Sequence, residues 1–311
     1  MKAERSIRWI GGGLIVIALL VLTVAGCWSG ESSAERSDEG PTLSRDGKWV
    51  AFASDRASPG DGFAIYVARF GAKPRRVTHS EQHESWPAWS PDGSRVVFAR
   101  FEEDGMSRGG LYVVNRGGSG LRQLTKHEDF APSWSPDGKT IAFTRAEGFA
   151  GLDYNVYLVD ADGTNRRVLL RDAQQPAWSP DGSKIAFVRG WGEAIAVFDL
   201  KSKRTRKMVR STRSSAGNPA WSPDGKRIVF FDIPRDARFD SILEAGDWHE
   251  IYVVNADGTG SRRLTRNAVS DSSPTWTPDG RIVFASERPD PSLLYVMNGD
   301  GTGVRRFVIE R

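Results

Sequence analysis

The sequence predicts an all-β chain: a six-bladed β-propeller, four antiparallel strands per blade, preceded by an N-terminal signal and lipidation segment. Three observations predict it. An Asp-Gly pair returns with its Asp at positions 46, 92, 137, 181, 224 and 279, separations of 46, 45, 44, 43 and 55. A period in the forties is the mark of a repeat architecture with one blade per repeat. Between the pairs lie short β-branched and aromatic runs, too short for helices. The 33 Gly and 16 Pro in 311 residues supply the turns that so many short strands need.

The N-terminus stands apart. Lys2, Arg5 and Arg8 precede an uncharged stretch from Trp9 to Gly26, and the run closes in Val24-Ala25-Gly26-Cys27. A basic start, an apolar middle and small residues before a cut site describe a secretory signal over residues 1–26. Cys27, the single cysteine, follows Ala-Gly and resembles the lipidated cysteine of a bacterial lipobox. The alternative is an uncleaved anchor, for which the stretch is at the short end of a spanning helix. Either reading puts the body outside the cytoplasm and ties it to the membrane. Residues 27–40 then form the lipidated cysteine and a polar tether, and 41–311 the propeller. Loss of residues 1–26 removes three of the 43 basic side chains and one of the 39 acids, leaving a nearly balanced mature chain. Without a clustered basic face, nucleic acid is not an expected partner.

Each repeat reads the same way. A Trp-(Ser/Thr)-Pro-Asp-Gly string, with its Trp at 89, 134, 178, 221 and 276, precedes a strand such as Val96-Val97-Phe98 or Ile141-Ala142-Phe143. A variable loop leads to a second apolar strand, for example Ile251-Tyr252-Val253-Val254. Both strands are apolar on both faces, as in sheets covered on two sides. A Gly-rich turn and a basic outer strand close the unit. Pro presets φ for the first central turn position, and Gly takes the left-handed position that lets the hairpin close. The Trp on the innermost strand fills the wedge between blades, a burial of several kcal/mol at roughly 25 cal/mol per Å².

These strings resemble the WD-like repeats of TolB-type propellers: Pro-x-Trp-Ser-Pro-Asp-Gly-x-x-Ile-x-Phe, then Ile-Tyr-x-x, Asp-Gly and Arg-x-Leu-Thr. The resemblance covers 41–311 and implies a platform that binds other proteins outside the cytoplasm. The α/β domain that precedes such propellers has no counterpart between Cys27 and Pro41. Copy one lacks the Trp and Pro of the string. Copy four has Ala196 in place of Tyr and Leu200-Lys201-Ser202-Lys203 in place of the Asp-Gly turn. The final strand, Arg306-Phe307-Val308, shows no strand exchange to close the ring.

The candidate site is the face bearing the blade-to-blade connections. Glu84, Asp129 and Asp271 stand five residues before a Trp, with Gln174 and Asn218 nearby, around one tunnel mouth. They are placed to hold a cation or a basic peptide, or to accept hydrogen bonds from the next loop. His83 and His127 occupy equivalent connections, and His249 precedes the third strand of blade five. Some propeller-fold polysaccharide lyases use histidines and a metal on this face, which sets the alternative function: polysaccharide binding or cleavage. No tight ligand spacing supports a metal. The Asp-x-Asp-Gly turns lack the distal Glu of a calcium loop. The long Asp232–Glu250 loop carries Phe239 and Trp248, apolar groups that contact a partner or cap the tunnel. Lys201 to Arg213 holds seven cations, suited to anionic lipid or wall polymer, or to guarding an edge strand. No Gly-x-Ser-x-Gly elbow or phosphate loop occurs. The expectation is a non-enzymatic, cofactor-free, monomeric lipoprotein that binds a protein or peptide partner in the cell envelope.

Overall fold

The computed structural model describes residues 37–57, 62–101, 109–148, 153–234, 248–267, 269–288 and 293–307. All described strands lie within the compact unit Ala34–Arg311. Blade one holds β1 (Asp38–Leu43), β2 (Trp49–Ser54), β3 (Ala64–Arg69) and β4 (Arg75–Arg76). Blade two holds β5 (His83–Trp89), β6 (Arg95–Phe101), β7 (Gly110–Asn115) and β8 (Arg122–Gln123). Blade three holds β9 (Asp129–Trp134), β10 (Thr140–Glu147), β11 (Asp153–Asp160) and β12 (Arg167–Arg171). Blade four holds β13 (Ala173–Trp178), β14 (Lys184–Arg189), β15 (Ala194–Asp199) and β16 (Arg204–Arg210). Blade five holds β17 (Gly217–Trp221), β18 (Arg227–Asp232), β19 (Glu250–Asn255) and β20 (Arg262–Arg263). Blade six holds β21 (Asp271–Trp276), β22 (Arg281–Ser286), β23 (Leu293–Asn298) and β24 (Arg305–Arg306).

Each sheet is a four-stranded antiparallel meander in sequence order. The first strand of every blade is innermost, and the inner strands neighbour one another around the ring, β21 against β1. Among the described residues no strand is exchanged between the ends. Blades one and six pack together: Val50, Phe52 and Tyr66 share a core with Val283, Leu294, Val296 and Phe307. The Phe307 ring also meets Phe70 of blade one, centroids 4.8 Å apart. β1 begins at Asp38, three residues before the boundary expected at 41, so the end of the expected tether is a strand of blade one.

The repeated turn has the anticipated geometry. In blade two, Gly93 N donates to Ser90 O at 2.8 Å. Ser90 Oγ donates to Asp92 Oδ1 at 2.5 Å and accepts from Arg95 N at 3.0 Å. Gly93 has φ of 64°, and its counterparts Gly138, Gly182 and Gly225 lie at 71°, 71° and 68°. The serine hydroxyl holds the Asp92 carboxyl down to about 2. Trp89, Trp134 and Trp276 are buried, whereas Trp178 and Trp221 are half-buried. Trp89 Nε1 donates to Thr42 O of the preceding blade at 3.2 Å, and Trp221 Nε1 to Ala177 O at 3.1 Å. Arg95 and Arg227 cover Trp134 and Trp276 of the following blade, 5.0 and 4.6 Å from the ring centroids.

One regular feature was not read from the sequence. Every inner strand bulges, with a register shift against its neighbour. At each bulge one residue is left-handed: Gly40, Trp86, Ala131, Gln175, Asn218 and Ser273, with φ between 47° and 56°. A proline follows each of them. An inner strand is a sheet edge, and a bulge leaves an N–H unpaired, so a residue without that donor suits the place.

Candidate functional site

The loop face is built from the first residues of the inner strands, the last residues of the second strands, and the loops beyond them. Asp38, Asp129 and Asp271 open β1, β9 and β21, Glu84 is the second residue of β5, and in chain order Asp38, Glu84, Asp129 and Asp271 are 3%, 0%, 0% and 0% exposed. Each meets an arginine from the end of its own second strand or just after it. Arg56 Nη2 lies 2.5 Å from Asp38 Oδ1. Arg100 donates to Glu84 Oε1 through Nε at 2.9 Å and Nη2 at 2.6 Å. Arg145 grips both Asp129 oxygens, at 2.6 and 2.7 Å. Arg288 Nη2 meets Asp271 Oδ2 at 2.6 Å, and Ser286 Oγ donates to Oδ1 at 2.6 Å. Every one of these guanidinium groups lies over a Phe–Tyr pair: Arg145 is 5.7 Å from Phe143 and 4.8 Å from Tyr157, and Arg100 is 4.2 Å from Tyr112. Burial pushes the Glu84 carboxyl up, against the pull of Thr78 and Arg100.

These carboxylates are sealed from solvent, and their charge is matched by the arginines. What they offer the face is position: they hold four cation–aromatic stacks at the loop ends of blades one, two, three and six. Asp38 escaped the sequence reading because Leu43 replaces the Trp that served as the counting mark.

Among the described residues, blades four and five have no acid at the clasp position. Ala173 and Ala216 stand where the acids are, and Arg189 is half-exposed beside Asp172 at 3.7 Å. Side-chain amides fill the place. Gln174 Nε2 donates to Gly190 O at 2.8 Å, Asn218 N donates to Gln175 Oε1 at 2.7 Å, and Asn218 Nδ2 reaches Ser273 Oγ at 3.1 Å. Gln174 Oε1 and Asn218 Oδ1 are buried without a hydrogen-bond partner. In blade five, Asp232 accepts from Ser211 Oγ and Ser215 Oγ at 2.8 and 2.7 Å.

A row of rings runs toward this region. Trp86, Phe130, Tyr154 and Trp191 follow one another at centroid distances of 6.0, 5.7 and 4.9 Å, from the inner strand of blade two to the loop of blade four. Trp86, Phe130 and Trp191 are partly exposed. At the opposite side of the ring Glu39, next to Asp38, has its carboxyl pushed up to about 8 by burial and by the charges of Asp55, Glu287 and Asp38. Neither the ring row nor Glu39 was singled out in the sequence, since both depend on neighbours from different repeats.

The histidines do not assemble. His83 packs between Phe63 and Phe101, at 5.2 and 6.0 Å, and burial lowers its pKa. His249 lies edge-on to Phe231 at 4.7 Å with Nδ1 3.3 Å from Ser270 Oγ, its pKa lowered to about 4 by burial. His127 is exposed. Among the described residues no group of three or more His, Cys, Asp or Glu is placed to hold a metal, and no helix is long and apolar enough to cross a membrane. Trp248 is half-buried. Phe239 and Cys27 lie outside the described residues.

The ring of six four-stranded meanders, closed by packing, with a loop face of clasped and unclasped blades, defines a β-propeller of the WD-like repeat class. The TolB beta propeller domain family matches residues 40–151 and 144–311. The chain belongs to that family. In fold it is similar to TolB from Acinetobacter baumannii, at 20% identity and TM-score 0.65, covering 93% of this chain and 67% of that one. A TolB-like protein from Agrobacterium tumefaciens gives 23% identity and TM-score 0.61, over 76% and 84% of the two chains. An oligogalacturonate lyase in complex with manganese shares the fold at 16% identity and TM-score 0.57, over 88% and 79%. Comparison with curated proteins gives no match.

Proposed function

We propose that the chain is an extracytoplasmic lipoprotein, cut after Gly26 and anchored through lipidated Cys27, whose propeller holds a protein or peptide partner in the cell envelope. The partner occupies the loop face, along the ring row from Trp86 to Trp191 and against the unclasped blades four and five. The observation that carries this reading is the asymmetry of that face. Four blades clasp an inner-strand acid with arginine, whereas blades four and five carry Ala173 and Ala216 at that place, and the partly exposed ring row ends at Trp191 of blade four. Aromatic side chains are the residues that anchor interfaces most often. Glu84, Asp129 and Asp271 serve here as positioning residues, with His83, His127 and Trp248 at the rim. Phe239, outside the described residues, is proposed as a partner contact on its sequence position alone.

Site-specific photo-crosslinking in cells tests the placement. A photoreactive side chain at 191 or 86 is expected to give one discrete adduct, and one at Lys139, in a turn of the opposite face, none. Equal adducts from both faces would refute it. The anchor is tested separately by fatty-acid labelling: uptake of label is expected to vanish in Cys27→Ser.

A further inference from the structure

The outer strands of the propeller share one use for their arginines. Arg75 donates to Arg116 O and Gly117 O of blade two, at 2.5 and 3.4 Å. Arg122 donates to Ala161 O and Asp162 O of blade three, at 2.8 and 3.1 Å. Arg262 donates to Asp300 O of blade six at 3.0 Å. In each case an outer-strand cation latches the turn of the following blade. Arg206 of blade four approaches the Asp257-Gly258 turn of blade five, where its charge helps lower the Asp257 pKa.

Blade four carries cations far beyond that need. Its outer strand, β16, runs seven residues, where those of blades one, two, five and six run two. That is about 23 Å of strand, with its outer side unpaired. Lys201, Lys203, Arg204, Arg206, Lys207 and Arg210 are all exposed. Among the described residues Lys201, Arg204, Lys207 and Arg210 make no ion pair, and Lys203 only overlies Phe198 at 6.0 Å. No Asp or Glu occurs between Asp199 and Asp224. Guarding a free edge calls for charge of either sign in one or two places. Six cations of one sign, with no acid interspersed, make a field rather than a guard.

We infer that the outer edge of blade four is a membrane-facing surface that lies on an anionic lipid bilayer. The inference rests in part on the anchored reading above, since an anchor at Cys27 keeps the propeller within reach of such a surface. Charge complementarity supplies the rest: juxtamembrane cations are drawn to anionic headgroups and lose that attraction within a Debye length.

The test is vesicle flotation. Every described strand and core cluster lies within Ala34–Arg311, so a chain starting at residue 27 with Cys27→Ser carries the whole fold without a lipid. It is expected to float with vesicles of an equal phosphatidylcholine and phosphatidylglycerol mixture, and not with phosphatidylcholine alone. Each cation removed is expected to weaken partitioning about fivefold, so Lys203→Gln, Arg204→Gln, Lys207→Gln and Arg210→Gln together cost roughly a hundredfold or more. Raising salt from about 0.1 to 1 M is expected to abolish flotation. The control removes equal charge from the turn face: Arg45→Gln, Lys48→Gln, Lys139→Gln and Lys226→Gln, all exposed positions, which should keep most of the partitioning. No flotation with the mixed vesicles, or equal loss in the control, overturns the inference. Capture by soluble polyphosphate without flotation also overturns it, in favour of a soluble anionic polymer. Failure of the lipidated full-length protein to float with phosphatidylcholine alone would instead defeat the anchored reading, and the unlipidated arm still decides this one.

Discussion

Replacing Asp129 by Ala isolates the clasp at its most enclosed example. Arg145 is 5% exposed and both Asp129 oxygens are engaged. Removing the carboxylate leaves a guanidinium over Phe143 and Tyr157 with no matching charge in hydrogen-bond range. Breaking a buried pair in this way costs about 3–5 kcal/mol. Replacing both partners by apolar side chains of similar volume, Asp129→Leu with Arg145→Met, removes the uncompensated charge as well, and such swaps are neutral or stabilising by about 1–4 kcal/mol. The double variant is therefore expected near the parent, far above Asp129→Ala. Arg189→Ala, at the half-exposed pair of blade four, is expected to cost less than about 1 kcal/mol. Urea unfolding followed by Trp fluorescence and by far-UV circular dichroism reads all three, and coincident transitions license the comparison. A loss under about 1 kcal/mol for Asp129→Ala, or a double variant no better than the single, would refute the clasp as the element that holds the loop end of a blade.

Glu39 titrates near 8 when folded, against 4.5 as its ordinary value, so the folded chain keeps a proton that the unfolded chain releases. Stability should then fall as pH rises from about 4.5 to 8, and Glu39→Gln should remove that slope in urea midpoints taken across the range. His249 has the opposite sign. Its folded value of about 4, against 6.5, means that the unfolded chain takes the proton first, so stability is lost as pH falls from 6.5 toward 4 and His249→Gln flattens that limb. Trp89→Ala, which empties a buried wedge and removes the Nε1 donor to Thr42 O, is expected to cost about 3–5 kcal/mol. Trp178→Ala, at a half-buried ring with an unpaired Nε1, should cost clearly less by the same assay.

The fold was legible because its signals are local. Pro91, Asp92 and Gly93 each answer a demand of one turn, and the turn repeats, so six weak signals add to a strong one. The wedge role of Trp89 follows from the same spacing. The site was less legible for a reason that is also physical. The acid of each clasp stands five residues before the Trp, or before Leu43 in its place, but its arginine keeps no fixed spacing: it stands two residues after the strand Phe in Arg100 and Arg145, and four after it in Arg56 and Arg288. Either spacing brings the guanidinium over the Phe–Tyr pair, so no single pattern describes it. The row from Trp86 to Trp191 joins three blades, and nothing in one repeat points to the next. The bulge was visible in outline, since a proline stands two residues before each Trp. Its meaning, an inner strand with no N–H to spare, appears only once that strand is known to be an edge.

Departures from the repeat, not the repeat itself, carry the specific properties of this chain. Blade four gathers several of them: Ala173 in place of an acid, Ala196 in place of the Tyr, Leu200 to Lys203 in place of the Asp-Gly turn, and the long cationic strand that follows. The last two are linked. The substituted turn is closed by Asp199, which accepts from Lys201 N at 3.1 Å and Ser202 N at 2.7 Å, and β16 pairs with β15 from there to Arg210 with one register shift at Met208. A paired outer strand of this length gathers those cations in a row along one edge of the blade. That row lies on the side of the ring, not on either face. A propeller resting on this edge has its axis parallel to the bilayer, which leaves the loop face with Trp86 and Trp191 and the turn face with its Asp-Gly hairpins both open to the compartment. The same blade would then set the orientation of the scaffold by its outer strand and offer a partner the polar gap at its inner one.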